Sequence, residues 1–490
     1  MQTRLLARET GDLQPQNFAC SVAGDLIRTF APAPQHRFDG ENLTSQAAKR
    51  DGPSVVSEER AHNIRAHGAG VSALDVDKFD GRLMISGGAD GSIKIWDLES
   101  APSPHTLHTF KPALAIARST QDARSSSNRG HSHGITHMAF YPFDSGAFLS
   151  SSFDKTLKLW STARAALSAE FPLNATIYSH ATSPVADHLL VACATQHSNV
   201  RLVDLKSGSA VQALVAHGGP VLSTAWSPQH EYILASGHAD GKVRIWDIRR
   251  AGGVVAQLDQ EDSLGVVHRF TLAAANGADW NRQPHFRASA QAHDEAVNGI
   301  KWTDDGRHLV TAGLDRKIRV WDADTGANTL ASFGSLIQNQ HPKTANILLS
   351  PSGLCDFGDA LIWANDQEIL VLNMLDGTVM TRLRSPGVTN PVGPRSSEIG
   401  RNRITTMAWR GAGGSGRRAL GPVMGGAQSL GTIYSAHLDG HIRAWMMTLP
   451  GPDDIEDIEE VDKNEEVRTR KRKAVDDAYK SLMGKNITFA

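Results

Sequence analysis

Short stretches of strict polar–apolar alternation recur through the middle of the chain. Ser92-Ile93-Lys94-Ile95-Trp96 and Lys242-Val243-Arg244-Ile245-Trp246 place every second side chain on one apolar face, as a half-buried β-strand requires. Asp-Gly or Asp-Lys pairs stand just before such strands (Asp90-Gly91, Asp154-Lys155, Asp240-Gly241, Asp439-Gly440), where a tight hairpin turn is expected. The pattern predicts an all-β protein made of many short strands joined by tight turns.

The strands come in repeats. His67, Val71, Ser86, Asp90 and Trp96-Asp97 form a skeleton that returns as His131, Ile135, Ser150, Asp154 and Trp160. It returns again as His217, Val221, Ser236, Asp240 and Trp246-Asp247, and as His293, Val297, Thr311, Asp315 and Trp321-Asp322. A fifth copy lacks the histidine and reads Ile404, Ser435, Asp439, Trp445. In all five the Asp precedes the Trp by six positions and the Ser or Thr precedes the Asp by four. Two worn copies, Ile177 to Asp204 and Ile347 to Asn373, put Val203 and Leu372 at the Trp position, which makes seven repeats.

This skeleton resembles that of the WD-repeat β-propellers, whose repeats run ~40–45 residues with four strands per blade. The resemblance implies one seven-bladed ring over residues 57–449. It also implies a hydrogen-bonded blade network of His67, Ser86, Asp90 and Trp96, with counterparts His131, Ser150, Asp154 and Trp160. The further sets are His217, Ser236, Asp240 and Trp246, then His293, Thr311, Asp315 and Trp321. A network stiffens a sheet only when every member is satisfied, so the copy ending at Trp445, without its histidine, is expected to have a looser outer edge. Glu58 to Arg65 stands where other repeats hold their outermost strand. It is predicted to clasp the last blade to the first, removing two open sheet edges. Residues 30–56 are predicted to be a linker.

Composition alters this picture little. The 490 residues leave room for about three domains, but the repeats assign most of them to one ring. With 21% charged and 40% hydrophobic residues the chain is ordinary globular material. Cys20, Cys193 and Cys355 lie far apart and in no CxxC pair, which excludes a disulfide framework and a cysteine-built zinc site and fits a reducing compartment. No apolar run reaches the ~20 residues that span a bilayer. The start, with Arg4, Arg8 and Glu9, is not expected to act as a signal peptide. A net charge of −2 argues against a surface that tracks nucleic acid throughout. Residues 450–490 carry an acidic block (Asp453 to Glu460) and then a basic cluster (Arg468 to Lys473), which predicts a solvated, disordered arm. Arg470, Lys471, Arg472 and Lys473 read as a nuclear-import signal, as a phosphate-touching arm, or as charge that keeps the tail in water.

Candidate chemistry is sparse. His131, His133 and His137 suggest a metal, but no carboxylate or thiol stands at ligand spacing and the repeat register already uses His131. The Gly-rich run from Gly411 to Arg417 lacks the Lys-Ser/Thr of a phosphate-binding loop. No nucleophile elbow is present. No catalytic residue, cofactor or metal is expected, and the protein is read as a non-enzyme. Trp96, Trp160, Trp246, Trp321, Trp445, Trp226, Trp302 and Trp409 all fall in repeat registers and are expected to be core.

One motif exceeds what folding needs. After Trp246-Asp247 come Ile248 and Arg249, whereas other blades continue Leu98-Glu99, Thr162-Ala163 or Ala323-Asp324. This ending resembles the Trp-Asp-x-Arg box of WD-repeat substrate receptors of cullin-4 ubiquitin ligases, in which the Arg contacts the adaptor. A guanidinium offers fixed donors for that purpose; equally, Arg249 could only cap its own strand or pair with Asp247. Longer runs resemble the Cockayne syndrome A protein family: Ser151 to Trp160, Thr176 to His180 with Ser183-Pro184-Val185, Val203 to Ser209, Tyr232 to Ala235, and Trp246 to Ala251. At the front, Leu6 to Gly11 is similar to that family's adaptor-binding helical start, which makes residues 1–29 an adaptor-binding segment. The resemblance implies a substrate receptor in transcription-coupled nucleotide-excision repair, in the nucleus and monomeric within a hetero-complex. Its partners would be the cullin-4 adaptor (the large subunit of the damaged-DNA-binding complex), a Cockayne syndrome B type translocase and stalled RNA polymerase II. Direct contact with DNA stays open. Leu5, Leu6, Arg8, Asp247 and Arg249 are then expected to form one bipartite adaptor site. A general WD-repeat scaffold in a chromatin or RNA-processing complex is the alternative.

Overall fold

The computed structural model describes residues 2–40, 64–101, 106–119, 130–250, 253–263, 290–384, 402–411 and 431–447. Within them, seven antiparallel sheets stand around an axis as a seven-bladed β-propeller. The first strands of neighbouring sheets pack against one another and line the centre. Blade one runs outward through Val71–Val76, Leu83–Gly88, Ile93–Asp97 and Pro112–Ile116. Blade two holds Ile135–Phe140, Ala147–Ser152, Thr156–Ser161 and Ala166–Pro172; blade three, Ile177–Thr182, Leu190–Thr195, Val200–Asp204 and Ser209–Leu214. Blade four holds Val221–Trp226, Ile233–His238, Val243–Asp247 and Val254–Gln257; blade six, Ile347–Leu349, Ala360–Ala364, Glu368–Asn373 and Val379–Arg384. Blade five has three strands among the described residues, Val297–Trp302, His308–Gly313 and Ile318–Asp322, and Trp321 makes a single bridge to Asn328 where a fourth would start. The core lies between blades: the tryptophans at positions 96, 160, 246, 321 and 445 are all fully buried, and Val203 and Leu372 fill the same place in the worn repeats.

The Asp-Gly turns serve the ring as well as the hairpin. Gly91, Gly241 and Gly440 take positive φ (82°, 78° and 88°), and Asp90 accepts from the Ser92 amide at 2.9 Å. The Gly241 carbonyl then accepts from the amides of Ala292 and His293 at the start of blade five, and that of Gly440 from Ala66 and His67 at the start of blade one. At the axis, the register slips around Ser72 and Thr405. The Ser72 hydroxyl donates to the Ile135 carbonyl of the next blade at 2.6 Å, and that of Thr405 to Val71 at 2.5 Å.

The ring closes differently from the expectation. Blade seven is built from Ile404–Arg410, Thr432–His437 and Ile442–Met447, and its outermost strand is β1, Phe30–Pro32. Phe30 pairs with Met447 and Pro32 with Trp445; a proline is tolerated there because an edge strand can spare an N–H. Glu58 to Asn63 lie outside the described residues, and Ile64 and Arg65 carry no strand. The predicted linker also begins too early. Beyond β1, strand β2 (His36–Phe38) runs parallel to His108–Phe110, a short strand just before the outer strand of blade one, and Phe38 packs on Trp96, Phe110 and Tyr434. Residues 30–40 thus bind blade seven to blade one. Two helices precede them, α1 (Gln2–Glu9) and α2 (Pro15–Ile27).

Candidate functional site

The blade networks hold the strands that carry everything else. In blade one the Ser86 hydroxyl lies 2.7 Å from His67 Nε2 and receives the Trp96 indole N–H at 2.9 Å. His67 Nδ1 meets Ser92, whose hydroxyl donates to Asp90. His131 joins Ser150 and Asp154 in blade two, where Trp160 donates to Ser150. His293 joins Thr311 and Asp315 in blade five, where Trp321 donates to Thr311. Burial pushes the Asp90, Asp154 and Asp315 carboxyls up, but hydrogen bonds from the histidines and from neighbouring side chains outweigh it and hold all three well below the usual carboxylate range.

Blade four departs from the pattern. His217 is exposed and outside the network; Ser236 instead meets His238 Nε2 at 2.8 Å, from two residues further along its own strand, and still receives the Trp246 N–H at 2.7 Å. Arg244 fills the place beside Asp240 at 2.8 Å. Blade seven uses the same substitution: Ser435 meets His437 at 2.9 Å and Trp445 at 2.8 Å, and Arg443 reaches Asp439 at 3.1 Å. The copy expected to lack an imidazole therefore has one, and its edge is held by β1. A second row of indoles ties blades together, since Trp226 donates to the Ala181 carbonyl and Trp302 to that of Ala225. His133 lies beside Ser132, and His137 and His180 face each other at the axis. Arg470, Lys471, Arg472 and Lys473 lie outside the described residues.

Arg249 emerges at the end of the ring where blades three and four meet. It follows the third strand of blade four, so it shares that end with the loops joining the first two strands of blades three and four, residues 183–189 and 227–232. Its Nε and Nη2 donate to both carboxylate oxygens of Asp247 at 3.0 and 2.8 Å, and its guanidinium lies 4.9 Å from the Tyr232 ring centre. Asp247 is pushed up by burial, but the Arg249 side chain and amide outweigh this and hold it low. The Arg249 side chain keeps 45% of its surface exposed. It borders a hollow of about 310 Å³ lined also by Val185, His230, Glu231 and Tyr232. A planar donor fork is thereby set in one pose on a side chain that stays half-exposed, which suits recognition of a carbonyl or carboxylate on another protein.

The helices occupy the same end of the ring, at blade six. Cys20 of α2 donates to the Gly353 carbonyl, Gly24 lies against Asp356 and Phe357, and Ile27 is buried with Phe30, Cys355 and Trp445. Helix α1 is attached to α2 by the Arg4–Asp25 ion pair and by Arg8 over the Phe18 ring. Leu5 and Leu6 stay 46% and 59% exposed. Arg249 and the Leu5-Leu6 pair share one end of the ring but stand on different blades, and no hydrogen bond or ion pair joins them among the described residues. The contribution of Tyr232 and Val185 to the Arg249 notch was not legible beforehand, because it depends on which loops meet at a blade boundary.

Residues 58–97, 124–161, 208–247 and 285–322 match the family described as WD domain, G-beta repeat. Over 328 residues the chain is 31% identical to WD repeat-containing protein ATCSA-1 of Arabidopsis thaliana, covering 57% of this chain and 72% of that protein. It is 24% identical over 334 residues to Radiation-sensitive protein 28 of Saccharomyces cerevisiae, covering 51% of this chain and 65% of that protein. Over 273 residues it is 30% identical to Ribosome biogenesis protein ytm1 of Neurospora crassa, covering 52% of this chain and 54% of that one. Propellers of this kind generally serve as non-catalytic platforms for protein–protein contact. With seven sheets, five Trp-bearing repeats and these likenesses in agreement, the chain belongs to the WD-repeat proteins.

Proposed function

We propose that this chain is a non-enzymatic substrate receptor of a cullin-4 ubiquitin ligase, of the Cockayne syndrome A type, acting in the nucleus in transcription-coupled nucleotide-excision repair. The observation that carries the reading is Arg249: the Trp246-Asp247-Ile248-Arg249 ending presents a guanidinium fixed by Asp247 and Tyr232 yet half-exposed. The likeness to ATCSA-1 over most of that relative's length supports it, and so does the apolar Leu5-Leu6 pair left uncovered on the same end of the ring. The adaptor would take both, an apolar helix in a groove and a directional polar anchor beside it. Catalysis of ubiquitin transfer would belong to other subunits, and the receptor would hold its target, by analogy the Cockayne syndrome B type translocase at stalled RNA polymerase II.

The likeness to a ribosome biogenesis protein supports a second reading, a WD-repeat scaffold in an RNA-processing assembly. Affinity purification of the tagged full chain, beside the Arg249→Ala variant, separates the two. Recovery of the cullin adaptor by the parent and its loss from the variant is the expected result. Recovery of pre-ribosomal proteins without the adaptor would establish the scaffold.

A further inference from the structure

We propose that the outer edge of blade three is a docking strand for an extended segment of another protein that carries a carboxylate between apolar residues.

The strand Ser209–Leu214 is the outermost of its sheet. Open edges invite pairing with other chains, and proteins ordinarily blunt them with charge or proline. Four other blades do so: Pro112 in blade one, Glu170 and Pro172 in blade two, Arg382 and Arg384 in blade six, Pro32 in blade seven. The edge of blade four, Val254–Gln257, has neither, but its valines are half-buried. From Ser207 through His217 blade three has no charged residue and no proline. Its outward side chains are Val211, Ala213 and Val215, and both valines are 60% exposed.

A second observation falls on the same face. Two positions before the blade tryptophan, five blades carry a cation, and each is satisfied. Lys94 donates to the carbonyls of Gly40 and Ala66, and Lys158 to that of Gly130. Arg244, Arg319 and Arg443 meet Asp240, Asp315 and Asp439. Arg201 is their counterpart in blade three. The Asp position there is His197, and Arg201 makes no side-chain hydrogen bond or ion pair among the described residues, its Nε being buried without a partner. Arg201 stands directly opposite Ala213. Strands lie ~4.8 Å apart, so a fifth strand would run roughly 10 Å from Arg201. Only the Ala213 methyl stands between, and an arginine and a glutamate side chain reaching over it can meet. Main-chain pairing would supply affinity and the Arg201–carboxylate pair would supply selection, as in β-strand addition generally.

The test uses the full chain and a labelled peptide of alternating valine and threonine with one central glutamate, read by fluorescence anisotropy. Binding is expected, about tenfold weaker or worse for the same peptide with glutamine and for Arg201→Gln, since a charge-assisted hydrogen bond is lost. Val211→Lys with Val215→Lys should abolish it, while thermal melts of all variants stay with the parent. Equal binding of the glutamate and glutamine peptides, or no binding of either at millimolar concentration, would overturn the proposal. So would sedimentation showing a self-associated chain that Val211→Lys with Val215→Lys dissociates, because the edge would then be taken by a second copy.

Discussion

Each blade hydroxyl of the Ser86 type sits between a tryptophan N–H and an imidazole nitrogen, and this sets an acid limit on the ring. Burial, aided by Arg244 and Arg443, lowers His238 to about 3 and His437 to about 4. An unfolded histidine titrates near 6.5. Both groups are therefore neutral in the native state, and below pH ~6.5 the unfolded chain takes up protons first. Their stabilisation is complete above that pH and falls as the pH drops toward 4, by on the order of 3 kcal/mol for His437 alone. Asp439, held near 2, titrates below this window. Urea midpoints at pH 7.0, 5.5 and 4.5 should fall steadily, and His437→Gln, which cannot titrate, should flatten the slope while lowering the midpoint at pH 7.0. Truncating Trp246 or Trp321 to Ala should remove about 3–5 kcal/mol in the same assay, because each leaves a cavity in a fully packed blade boundary. The Ser, Asp and Trp positions were legible because five copies share their offsets. His238 and His437 were not, because the network demands an imidazole at a place in space, and a strand neighbour two residues from the serine can deliver it as well as the preceding loop.

At the scale of elements, the seam between blades seven and one depends on residues 30–40. Gly40 has no room for a side chain: a methyl there would collide with the Ala66 carbonyl and with Lys94 Nζ, which is bonded to both the Gly40 and Ala66 carbonyls. Gly40→Ala should push β2 off blade one and lower the melting temperature, and Phe38→Ala should cost about 3–5 kcal/mol through the lost stack on Phe110 and edge contacts with Trp96 and Tyr434. By contrast, deleting Met1 to Gly11 removes only α1, tied by an exposed ion pair of ~0–1 kcal/mol and one ring contact, so the melt should stay with the parent. Seven repeats can be counted from the sequence, yet the clasp, β1, cannot be located there. Strands of three residues carry no readable period, and β1 and β2 look like the Pro- and Gln-rich stretch around them.

Across the whole molecule, the adaptor reading makes a joint demand. If Arg249 and α1 are two contacts of one partner, Arg249→Ala should weaken adaptor binding at least about 30-fold, and removal of Met1 to Gly11 should add a separate, comparably large loss. Calorimetry on each single variant and on the pair checks this; normal binding by Arg249→Ala would remove the reading's best residue. Neutralising Arg470, Lys471, Arg472 and Lys473 should leave the ring folded and shift a fluorescent fusion toward the cytoplasm, and an unmoved fusion would count against an import signal. The two proposed adaptor contacts could be named from motifs, but their common end of the ring follows only from strand direction, which alternates along each blade.

The pairing of Phe30 with Met447 fixes an order of events during synthesis. The strand made first must wait, unpaired, until the last blade has left the ribosome, and meanwhile the open sides of blades one and seven present apolar strands to the cell. Local blades can form early because their contacts are near in sequence, whereas this single long-range closure comes last and is slow. A nascent or truncated chain that ends before blade seven therefore has no way to hide its first strands, and it should be a client of chaperones rather than a smaller working ring.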